Sequence, residues 1–139
     1  MEIHVLLKSS SLPDVRRWQQ AITAAGFDLT MEMSLSVRNN TGFTVAVFKG
    51  IDSGFEFDVF PASDTIDSYP EGKSSLGDGD LSANFRWSDD LREMACALIT
   101  SAVLAQLSGG VWFDPQDGVC IAGADAIKTA QQAIIDAAL

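Results

Sequence analysis

The chain predicts a single α+β domain spanning residues 1–139, a two-layer fold in which a mainly antiparallel sheet carries about three helices on one face. Three observations lead to that class. Short segments of alternating apolar and polar residues are joined by turns rich in Gly, Asn and Ser, as in neighbouring antiparallel strands with one wet face. Other, longer segments repeat their apolar residues at helical spacing. A length of 139 residues, 47% hydrophobic and 20% charged, suits one core rather than two. The predicted order is βαβββ, a loop at about 61–80, then βαββα.

The apolar run Ile3 to Leu7 suits a buried strand. Ser11-Leu12-Pro13-Asp14 then reads as a capping box, and Val15, Trp18, Ile22 and Ala25 share one face of a helix that Gly26 stops. From Thr30 to Val37, Met31, Met33, Leu35 and Val37 alternate with polar residues, predicting a half-buried strand. "GFTVAVFKG" and "SGFEFDVFP" predict a hairpin joined through Gly50 to Ser53. Residues 61–80, with two prolines, three glycines and five acids, predict a mobile acidic loop. Leu81, Ala83, Phe85 and Trp87 point one way along the next strand. Ser88-Asp89-Asp90 caps the longest helix, Leu91 to about Leu107, whose apolar surface runs most of the way round and places it between the sheet and the other helices.

"GGVWFDPQDG", residues 109–118, is the most distinctive segment. A phosphate cradle needs glycines that open a helix, and these close one. Gly109 therefore releases the long helix, and Asp114-Pro115-Gln116-Asp117-Gly118 turns the chain between two short strands. A last helix follows with Ile127, Ala130, Ile134 and Ala137 on one face. The expected core joins Met31, Met33, Leu35, Phe55, Phe57, Val59, Leu81, Phe85, Leu98 and Ile134.

Nine Lys and Arg stand against nineteen Asp and Glu, a net charge of −10 that repels nucleic acid. Residues 52–90 alone carry ten acids and two bases. Such a field favours a basic protein partner, and an aromatic among carboxylates suits an Arg- or Lys-rich surface. The expected partner-binding residues are Asp64, Asp67, Tyr69, Glu71, Asp78, Asp80 and Trp112, the last expected to point outward at a hairpin edge. "DGD" at 78–80 lacks the alternating oxygens and closing glutamate of a calcium loop, so no metal, cofactor or catalytic residue is expected. No membrane contact is expected either, since no apolar run approaches the ~20 residues of a span and the start lacks a secretory signal; the expected location is cytoplasmic, with a monomer as the default. The alternative is a small enzyme in which His4 meets Cys96 or Cys120, or which uses carboxylates such as Glu56 and Asp58.

"TGFTVAVFKG", "SGFEFDVF" and an alanine-rich helix running into "GGVWFDPQDG", followed by a final alanine-rich helix, resemble a loose class of small acidic bacterial proteins that includes immunity proteins of toxin systems. The resemblance implies a cytoplasmic protein that binds and masks a cognate toxin. Its motifs are turns and strand entrances, so it carries over no functional residue.

Overall fold

A computed structural model describes residues 1–139. The chain order is β1 (Glu2–Leu7), α1 (Val15–Ala24), β2 (Leu29–Met31), β3 (Phe43–Phe48), β4 (Ile51–Pro61), α2 (Ala62–Ser68), β5 (Leu81–Arg86), α3 (Leu91–Ser108), β6 (Val111–Asp114), β7 (Val119–Ala122) and α4 (Gly123–Asp136). The strands form one sheet in the order β2-β3-β4-β5-β1-β6-β7, and every pairing is antiparallel. The predicted α+β class is therefore observed, and the elements follow one another along the chain as predicted except that α2 lies within the expected loop. Ile3 to Leu7 is buried without interruption because β1 lies inside the sheet, between β5 and β6, with protein on both faces.

One face, here called the inner face, carries Ile3, Val5, Phe55, Phe57, Ala83, Phe85 and Trp112 and packs against α1, α3 and α4 in one large core. The helix α3 is buried without a gap from Ala95 to Ala105. It packs against the sheet and against both α1 and α4, and α1 also reaches the sheet directly through Trp18, which lies edge-on to Phe57 and Phe85. The polar atoms inside this run are satisfied. Thr100 Oγ1 donates to the Cys96 carbonyl at 2.7 Å, the Trp18 indole donates to the Thr100 carbonyl at 3.0 Å, and the Trp112 indole donates to Ser101 Oγ at 3.0 Å. Caps follow the expected chemistry at α3: Asp90 accepts from the backbone amides of Arg92 and Glu93, and Gly109 (φ 70°) takes the left-handed position that ends the helix. At α1 the cap is Asp14, accepting from the Arg17 amide at 2.8 Å, while Ser9–Ser11 form a 3-10 turn ahead of it.

Three expectations are corrected. The strand predicted from Thr30 to Val37 stops at Met31. Beyond it the Glu32 carboxylate accepts from both the amide and the hydroxyl of Ser34, and Ser36 accepts from the amide of Asn40, so local bonds displace the ladder. Leu35 and Val37 still turn inward, but Met33 is exposed and leaves the predicted core. The short edge strand β2 is closed off by Gln19, whose amide donates to the Leu29 carbonyl at 2.8 Å and accepts from the Met31 amide at 2.7 Å. The second correction is the loop at 61–80, which contains α2 and a 3-10 segment, Pro70–Ser75. The third is Trp112, which points into the core and is 3% exposed. Val59, Leu81 and Ile134 are half-buried at the core's margin.

Candidate functional site

The outer face of the sheet divides into two halves with different fates. Over β5, β1 and β6 it is covered: α2 and the 3-10 segment bring Ala62 and Leu76 onto Leu6 and Phe113, forming a second, smaller apolar cluster. Over β2, β3 and the first part of β4 nothing covers it. There Phe43, Val45 and Val47 are 54%, 53% and 37% exposed, all on one side of β3, while Thr44, Ala46 and Phe48 between them are buried on the inner side.

Beneath α2 lies a buried polar network. Asn84 Oδ1 accepts from His4 Nδ1 at 2.5 Å and from the Ser82 hydroxyl at 2.7 Å, and Thr65 Oγ1 bonds Ser82 Oγ at 2.7 Å. These residues face one another because His4 pairs with Asn84 across β1 and β5, and α2 lowers Thr65 onto them. His4 Nε2 lies 3.3 Å from Glu2 Oε1, misaligned for a hydrogen bond and otherwise without a partner. The Tyr69 hydroxyl donates to the same carboxylate at 3.1 Å. Burial acts to raise the Glu2 carboxyl, but the charge and contact of His4 and the Tyr69 hydrogen bond together hold it below its ordinary value. Burial also raises the Tyr69 phenol, and its bond to anionic Glu2 adds to that.

A seam of charge separates the two halves. Arg86 on β5 reaches Asp58 Oδ2 at 2.7 Å and Glu56 Oε2 at 3.4 Å on β4. Asp58 is buried, and its other oxygen accepts from the Gly42 amide at 3.1 Å. On the open side, a groove of about 260 Å³ is lined by Thr30, Glu32, Val45, Val47 and Asp52 among others. At the far end of β3, Phe43 joins Glu2, Glu56, Arg86, Trp87 and Glu93 around a second hollow of about 460 Å³. Phe43 lies over Gly54 of β4: a β-carbon at that glycine would come 2.5 Å from Phe43 Cζ and collide with the Thr44 carbonyl. The missing side chain lets the ring lie across the strand.

The residues expected to bind a partner are dispersed over these regions. Asp64, Asp67 and Glu71 are exposed on the covering layer and form no ion pair. Tyr69 is turned inward against Phe113 and His4, with ring centroids 5.2 and 6.0 Å away. Asp78 pairs with Lys8 at 3.5 Å. Asp80 accepts from the amide and hydroxyl of Ser9, which lowers its pKa. Trp112, as described, belongs to the core. The turn at 114–118 forms as predicted, with Asp114 Oδ1 accepting from the Gln116 amide at 3.0 Å and Gly118 at φ 68°.

Of the residues considered for catalysis, Cys96 is on α3, beneath the inner face and across the sheet from His4, and burial pushes its thiol up to about 11. Cys120 shares the outer face with His4, but Phe113 stands between them in the strand pairing. Its thiol is also raised by burial. Glu56 and Asp58 are both engaged by Arg86. No group of three or more His, Cys, Asp or Glu side chains is disposed to hold a metal ion. The sequence reading missed the exposed row on β3 because "FTVAVF" also reads as a strand buried on both sides; the opposing Gly54 was the available signal.

The chain matches no family model, no curated protein and no solved structure.

Proposed function

We propose that this is a non-enzymatic binding protein that docks a basic protein partner through the acidic outer side of its sheet. The resemblance to immunity proteins makes masking of a basic toxin the specific form of that role. The observation that carries the reading is the state of Asp64, Asp67 and Glu71. They project from a single layer, all exposed and none paired with a cation. Unpaired carboxylates on one surface attract a partner of opposite sign over roughly a Debye length, about 10 Å at 0.1 M salt, and speed encounter.

The test begins with a stoichiometric basic protein retained from the source cell's lysate at low salt, then rebuilt with this chain from purified components. Asp64→Asn, Asp67→Asn and Glu71→Gln together should slow association roughly tenfold at low salt and much less at high salt. Unchanged association kinetics in the folded triple variant would remove these carboxylates from the reading. Loss of a measurable turnover on mutating His4 or Cys120 would favour the enzyme alternative instead.

A further inference from the structure

We infer that the open half of the sheet is a second and distinct contact surface, which takes an extended segment carrying apolar residues alternating with Lys or Arg. The inference rests on the reading of the chain as a binding protein but names a different surface and a different chemistry. Three features of the surface specify the segment. Phe43, Val45 and Val47 form a row with β-strand spacing, which matches the alternate side chains of another extended strand laid face to face. At one end of the row the Phe43 ring lies across Gly54 of the neighbouring strand, where a side chain would displace it. Acids flank it, with Glu32 and Asp52 in the groove beside Val45 and Val47, and Glu56 paired in register with Phe43.

The local cations are already occupied. Within β3, β4 and their connecting turn, the only one is Lys49, which donates to the Leu139 carbonyl at 2.6 Å; Arg86 on the adjacent strand is held by Asp58 and Glu56. Glu56 is thus met within the chain, while Glu32 and Asp52 have no cation partner and leave a demand for positive charge beside the apolar row. A second copy of this chain answers it poorly. Its own net charge is −10, and face-to-face stacking would bring Glu32, Asp52 and Glu56 of both copies together.

The test uses the full chain and defined peptides. A synthetic peptide alternating Leu and Lys is titrated into isotopically labelled protein, with Ser-Lys and Leu-Glu alternating peptides as controls. Amide resonances of residues 43–47 and 52–56 should shift with the Leu-Lys peptide. Val45→Thr with Val47→Thr should weaken its binding roughly tenfold while leaving the thermal midpoint nearly unchanged, because Thr keeps strand propensity and shape at an exposed site. The inference is overturned if the Leu-Lys peptide does not bind, or if it shifts only α2 and residues 70–75. Equal binding of the Ser-Lys peptide would mean that charge alone acts, and equal binding of the Leu-Glu peptide that the flanking acids do nothing. A concentration-dependent dimer that the double variant abolishes would assign the row to self-association. None of these outcomes bears on the kinetic effect of Asp64, Asp67 and Glu71, so the two readings fail separately.

Discussion

Leu6 and Phe113 on one half of the outer face have the same kind of side chain as Phe43 and Val45 on the other, yet the first pair is 1% and 3% exposed and the second 54% and 53%. The difference lies in what the intervening chain does. The connection between β4 and β5 folds into α2 and a 3-10 segment and lies back over β5, β1 and β6, whereas the connection between β2 and β3 spends its hydrogen bonds on local turns and sends Leu35 and Val37 to the inner core, leaving the outer side of β3 open. Composition alone does not decide whether a sheet face is core or contact surface. The path of one connection does.

This contrast makes a graded set of expectations. The largest effect belongs to the covered half: Phe113→Ala should cost ~3 to 5 kcal/mol in denaturant titration, since it removes the largest buried side chain of the cluster. A cost below about 1 kcal/mol would show that α2 contributes little to stability. Leu98→Ala, beneath the inner face and so common to both halves, should cost ~2 to 5 kcal/mol. Asn84→Ala comes next. It leaves His4 Nδ1 and the Ser82 hydroxyl without their shared acceptor, at about 1 to 3 kcal/mol, and amide exchange should quicken in α2 before it does in β3.

Acid should also distinguish the halves. The folded Glu2 carboxyl titrates below its unfolded value of about 4.5, so its contribution is present above that pH and is lost as the pH falls through the lower, folded value. Glu2→Gln should therefore flatten the decline in stability below about pH 4.5, measured by chemical denaturation at a series of pH values. The smallest effect belongs to the open half, where Val45→Thr should change stability by no more than about 0.5 kcal/mol. A large loss there would mean that the row is covered in solution.

How much of this was legible in the sequence depends on how many faces of each element are buried. The strands β4 and β5 and the helices α1, α3 and α4 have periodic patterns that match their environments, and "DPQDG" encodes its turn through Asp114 and Gly118, whereas the apolar residues Phe43, Val45 and Val47 of β3 occupy its exposed phase. Alternation failed at Trp112 because β6 is covered on both sides, so opposite phases are equally buried. The helix α2 was hidden by its acids and serines, although Ala62, Thr65, Ile66 and Tyr69 recur at helical spacing. The His4 network was invisible because its members are far apart in the chain and meet only through strand register and the placement of α2. The lone Asp and Glu residues were legible as charge but not as sites, since whether each is free, as Asp64 is, or engaged, as Asp80 is, depends on a neighbour from elsewhere in the fold.

The interior position of β1 sets the timetable of folding. The strand on which the middle of the sheet is built leaves the ribosome well before either of its partners, since β5 begins at Leu81 and β6 at Val111. Until then Ile3 to Leu7 is an apolar strand with both edges free, the kind of segment that pairs with whatever it meets. The β3-β4 hairpin forms from local contacts and can precede it, while closure of the sheet waits for long-range pairing and slows accordingly. A nascent chain that ends before Leu81 offers β1 neither partner, and its early exposure, more than any weakness in the finished core, is where chaperone dependence should arise.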